Sequence, residues 1–136
     1  MADHPMTVFQ VAGRAMSAQL VRMNTTASNL ANVGVVSTNE ADAYRTMKPV
    51  FRTVLDRATG LATVKVEDVV RAGNGPMRRY DPANPLADAS GNVFEAAVDE
   101  TRELVDMMES ARNYQNNVEV MQTAKSLIID TLKLGR

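Results

Sequence analysis

A chain of 136 residues, 45% hydrophobic and with a formal net charge of −1, carries enough apolar content for ordered structure and no electrostatic case for nucleic acid or an anionic membrane surface. Cysteine and tryptophan are absent and aromatics amount to 4%. That excludes disulfides, thiol nucleophiles and cysteine-ligated zinc, and it leaves packing to alanine and nine methionines.

The opening "MADHPMTVFQVAGRAMSAQL" has no basic n-region and no apolar run of h-region length, so no cleaved secretory signal is expected. No stretch approaches the roughly eighteen apolar residues that a membrane span needs, so no membrane insertion is expected either. Pro5 suits a helix start. Phe9, Ala12, Met16, Leu20, Met23, Ala27 and Leu30 then recur at spacings of three and four, which predicts an amphipathic helix over the segment 1–33. Many of its apolar members are alanine, so a partner helix can approach closely.

The exit of that helix, "TTASNLANVGV", is polar for an apolar-faced element. Asn and Ser compete for backbone groups and so suit helix ends rather than interiors. Asn29 and Asn32, around Leu30, are expected to satisfy the last carbonyls or to touch a neighbouring chain, with Gly34 as a left-handed terminus.

The breakers crowd into 34–92. "VFRTVL" (Val50–Leu55) and "ATVKVEDVV" (Ala62–Val70) both alternate, and "DRATG" can turn the chain between them, which predicts a β-hairpin. The stretch Ala72–Asn92 is rich in Gly, Pro, Asn and Asp and reads as a long irregular connection.

The segment 93–136 reads as a second, longer helix. Leu104, Met108, Ala111, Tyr114, Val118, Met121, Lys125, Ile128 and Leu132 follow a spacing near 3.5, a coiled-coil-like seam interrupted by one lysine. A helix from near Val98 to Lys133 would be roughly 50 Å long. Periodicity also permits an earlier start, with Asn92 capping and Glu95 three residues on. Lys125 and Tyr114 can pack with their polar ends free, or set register between subunits. Eight acids against five bases in this segment, and two arginines against one aspartate in 1–33, give the ends a weak mutual attraction.

The expected fold class is therefore α+β, mainly α. Long terminal helices pair as a coiled-coil-like unit, one structural unit made from both termini, and a small hairpin and irregular connection lie between them. No catalytic, cofactor-binding or metal residue stands out. His4 has no ligand cluster beside it. "GNGP" (Gly73–Pro76) lacks the lysine and serine of a phosphate loop. Arg71, Arg78, Arg79 and Tyr80 form a patch too small for nucleic acid. Glu100, Glu103, Asp106 and Glu109 read as the wet face of the last helix. Apolar stripes on both helices exceed what one seam covers, so the chain reads as an assembly subunit.

Three motifs then converge. "NTTASNLANV" (Asn24–Val33), "YRTMKPVF" (Tyr44–Phe51) and "YDPANPLADASGNV" (Tyr80–Val93) resemble the flagellar basal-body rod proteins, in particular the short proximal ones, and "MMESARNYQNNVEVMQTAKSLIIDTLKLGR" (Met107–Arg136) is similar to their last helix. Where the family has Pro-Asn-Val before that helix, this chain has Glu95-Ala96-Ala97-Val98. The resemblance implies an axial protein that leaves the cytoplasm through the flagellar export apparatus without a cleaved signal. In the periplasm it would join copies of itself and other rod proteins in a hollow, torque-bearing shaft. The alternatives are another proximal rod protein and, from a different class, a free-standing helical adaptor or export chaperone.

Overall fold

The computed structural model describes residues 7–135; the expectations for His4 and Pro5 fall outside them. Helix α1 spans Val8–Ala31. It opens on a reciprocal cap: the Gln10 amide donates to Thr7 Oγ1 at 3.3 Å, and the Thr7 amide donates to Gln10 Oε1 at 3.1 Å. Two orphan donors are satisfied at once. At its other end Asn32 is the cap residue, Nδ2 donating to the Ser28 carbonyl at 2.8 Å. Gly34 follows at φ 72°, a conformation that costs glycine nothing.

Strands β1 (Val36–Ser37), β2 (Met47–Leu55) and β3 (Ala62–Arg71) come next. β2 and β3 form the expected antiparallel hairpin, longer at its base, in register from Met47 opposite Arg71 to Leu55 opposite Ala62 with a shift at Val50/Phe51. Its turn is closed by the Gly60 amide donating to the Asp56 carbonyl at 2.8 Å.

The connection expected to be irregular holds β4 (Met77–Tyr80) and ends on the first residue of β5 (Asn92–Glu95), and the two join a second sheet ordered β1-β5-β4. Both pairings of β5 are antiparallel. Strands of two to four residues are too short to show an alternation, so the sequence pattern could not reveal them. The Pro- and Asn-rich stretch between β4 and β5 is their closing loop. There Asp88 Oδ1 accepts from the Ser90 and Asn92 amides, both at 2.9 Å.

This sheet also corrects the start of the last helix. Asn92–Glu95 is strand, Val93 is fully buried, and the Ala96 amide donates to the Val35 carbonyl at 2.9 Å, which holds the chain extended. Helix α2 therefore begins at Glu100 and runs to Leu134, capped by Asp99, whose carboxylate accepts from the Arg102 amide at 3.1 Å. At 1.5 Å per residue α2 is about 52 Å long and α1 about 36 Å.

α1 packs against α2 and against both strands of the hairpin, while α2 has α1 as its one packed element. The helices run antiparallel: the end of α1 meets the start of α2 at Asn29 and Glu103, and Val8 lies beside Val120 and Leu127. The buried apolar residues are small, Ala12, Ala18, Ala43 and Ala96 with Val93, so the elements come close but enclose little volume.

Candidate assembly surface

Asn29, expected at a helix exit, is buried and spends its whole amide inside the chain. Nδ2 donates to the Met47 carbonyl and to Glu103 Oε2, each at 2.9 Å. Oδ1 accepts from the Tyr44 hydroxyl at 2.7 Å and from the Met47 amide at 2.8 Å. An Asn side chain has two N–H donors and two lone pairs, and all four are used. One residue thus ties the end of α1 to the start of β2, to the segment before it and to α2. Ser28 Oγ lies 3.2 Å from the same Tyr44 hydroxyl. Around this joint Lys48 approaches Asp106 at 3.9 Å, and the Arg22 guanidinium stacks 5.2 Å from the centre of the Phe51 ring. The two helix-exit asparagines therefore divide the work: Asn32 closes the helix, and Asn29 has no capacity left for a neighbour.

The acidic series reads differently in the fold as well. Glu100 and Glu109 are exposed, but Glu103 is buried at the Asn29 joint and Asp106 is half-buried beside Lys48. A buried carboxylate needs a donor, and Asn29 supplies it.

This contact lies on the covered side of α2, which coincides with only part of the expected seam. Successive residues of a helix point about 100° apart. With Glu103 turned toward α1, Leu104 turns away and Met108 is left 69% exposed, whereas Ser110 is 0% exposed. Glu103 and Ser110 are buried, and Asp106, Met107, Ala111, Asn113, Tyr114, Asn117, Val118, Met121 and Ala124 are half-buried, a stripe at spacings of three and four. They share Ala111, Tyr114, Val118 and Met121 with the seam read from the sequence. Of that seam, Ala111, Tyr114, Val118 and Met121 are half-buried, and Leu104, Met108, Lys125, Ile128 and Leu132 are exposed. On α1, Leu30 is half-buried.

Past Ala124 every described residue of α2 is exposed. Leu127, Ile128, Ile129, Leu132 and Leu134 lie there, and the first three, being consecutive, face different directions. Lys125, Ser126, Asp130, Thr131 and Lys133 interrupt them, so the apolar side chains cover a broad part of the helix surface but not all of it. Here no part of the described chain covers it.

Elsewhere the described residues offer little for chemistry. They contain no group of three or more His, Cys, Asp or Glu placed to hold a metal ion, and no helix long and apolar enough to cross a membrane. In the small basic patch Arg79 is engaged by Glu95 at 2.6 Å and by Asp81 at 3.6 Å. Sequence reasoning missed Tyr44, Glu103 and Ser110 as structural residues. It also passed over the Thr7-x-x-Gln10 pattern, which was legible as a capping box.

Comparisons with known proteins agree on one family. The profile described as "Flagella basal body rod protein" matches residues 9–36, and that described as "Flagellar basal body rod FlgEFG protein C-terminal" matches 89–134. The chain is 43% identical to the flagellar basal-body rod protein FlgC of Escherichia coli O6:H1 over 96% of its length and 98% of that protein. It is 42% identical to the FlgC of Salmonella typhimurium over the same shares, and 32% identical to that of Agrobacterium fabrum over 92% and 91%.

Proposed function

The chain belongs to the FlgC family of flagellar basal-body rod proteins and is a structural subunit of the rod, and from that premise we propose that its exposed helix α2 is the surface by which it builds a hollow, torque-transmitting shaft. Copies of the chain and other rod proteins are the partners. The chain reaches the periplasm through the flagellar export apparatus without a cleaved signal, and the shaft passes exported subunits. The adaptor reading gives way to the family assignment.

The observation that carries this reading is the last third of α2. Leu132 and Leu134 are 68% and 87% exposed, with Leu127, Ile128 and Ile129 beside them. Burying five such side chains is worth on the order of 1.5–3 kcal/mol each, and no part of the described chain supplies that cover. Leu104 and Met108 extend the same argument along the helix, and the role proposed for Lys125 and Tyr114 is to set register between subunits. A surface apolar on several faces fits several neighbours at once, as in a packed tube.

Ile128→Lys together with Leu132→Lys tests the reading. The isolated variant should keep its helix content, since both sites face solvent. In cells it should be missing from purified basal bodies, and swimming should be lost. Normal incorporation and motility would overturn the role given to α2.

A further inference from the structure

We propose that copies of this chain contact one another head to tail, the outward face of α2 from one copy seating in the groove between α1 and the β2–β3 hairpin of the next; the inference rests on the rod reading above. The groove has an apolar floor that includes Val21, Val54 and Val64, and a basic rim of Arg14, Arg52 and Lys65. Arg52 faces Glu67 at 3.7 Å; Arg14 and Lys65 have no ion pair among the described residues. The outward face of α2 is the converse. Leu104, Val105 and Met108 form an exposed apolar ridge, Glu109 stands beside it and Glu119 lies about 16 Å further along the helix, both without an ion pair among the described residues. Arg112 is the cation on that stretch, so the face carries two acids and one base against the groove's surplus of two bases.

The occupant follows from this match. A basic rim over an apolar floor selects an acidic, apolar partner, and a second copy presents one. Ridge and groove are different surfaces of the chain, so the contact is heterologous. Each docking leaves a free groove at one end and a free ridge at the other, which propagates an array rather than closing a pair.

The absence of cysteine from the sequence allows a clean test. Lys65→Cys is combined with Glu109→Cys, and separately with Glu119→Cys, in cells whose basal bodies are then oxidised and purified. A head-to-tail contact gives a ladder of linked chains longer than dimers with at least one pair, and no ladder with any single cysteine. Dimers alone, or adducts solely with a different rod subunit, overturn the proposal. So does incorporation without any adduct in both pairs, which leaves the rod role standing. Absence of the unsubstituted chain from basal bodies overturns the rod reading itself. If the cysteine pairs are excluded from basal bodies, the exchange of Lys65→Glu with Glu109→Lys decides. Recovery in the double variant after failure in each single one supports the contact, and failure in all three overturns it.

Discussion

Asn29 on α1 donates a 2.9 Å hydrogen bond to Glu103 on α2, joining positions 74 residues apart in the chain. The two are buried together where the end of α1 meets the start of α2. A motif that reads locally as a helix exit is thus a long-range joint, and its removal should be felt by three elements at once.

Asn29→Ala deletes four hydrogen bonds and leaves the Met47 backbone groups, the Tyr44 hydroxyl and the Glu103 carboxylate short of partners. The expected loss is on the order of 3 kcal/mol, because stranded buried groups cost more than a bond is worth. Tyr44→Phe removes one donor and should cost about 1 kcal/mol. Urea denaturation of the isolated chain measures both. Equal, small losses would mean that the joint is not a unit.

The rotation of α2 is tested by exchanging apolar and polar positions. Ser110→Leu adds a large side chain where none is exposed and should destabilise by about 1–3 kcal/mol through overpacking. Met108→Ser removes an apolar group facing solvent and should change stability by less than about 0.5 kcal/mol. The reverse order of effects would place the seam read from the sequence back against α1.

Gly91 sits at φ 78°, and a Cβ there would lie 2.9 Å from Tyr80 Cε2 and 3.1 Å from Pro82 Cβ. Gly91→Ala combines left-handed strain with a clash and should cost about 1–3 kcal/mol. The loss should appear as faster hydrogen exchange at Asp81 and Asp88, whose amides pair across the loop with Gly91 and Asn92. Unchanged exchange there would show that the loop absorbs the methyl group.

Brief trypsin treatment of the dilute, isolated chain should cut first at Lys125 and Lys133, which lie on the uncovered stretch of α2. Arg22, half-buried between α1 and the hairpin and stacked on Phe51, should resist longer. In purified basal bodies all these sites should be protected. Early cleavage at Arg22 would mean that α1 is not held by the hairpin before assembly.

Local pattern went far in this chain. The spacing from Phe9 to Leu30 marked α1, the alternation of Val50–Leu55 and Ala62–Val70 marked the hairpin, and the missing breakers after Asn92 marked α2. These signals are legible because periodicity belongs to consecutive residues and needs no knowledge of a partner. The motifs shared with the rod proteins came from the same one-dimensional reading.

What lies across the chain was decided only in three dimensions. Glu100, Glu103, Asp106 and Glu109 look alike along the helix, yet Glu103 alone is buried, because Asn29 happens to face it. Ser110 is enclosed because it lies on the side of α2 that carries Glu103 and meets α1, and Met108 is bare because it lies away from it. The small β1-β5-β4 sheet likewise depends on pairings between segments too short to carry a period. Sequence alone established that two amphipathic helices and a hairpin would form; the contact partners of each face, which depend on where distant residues come to rest, belonged to the tertiary structure.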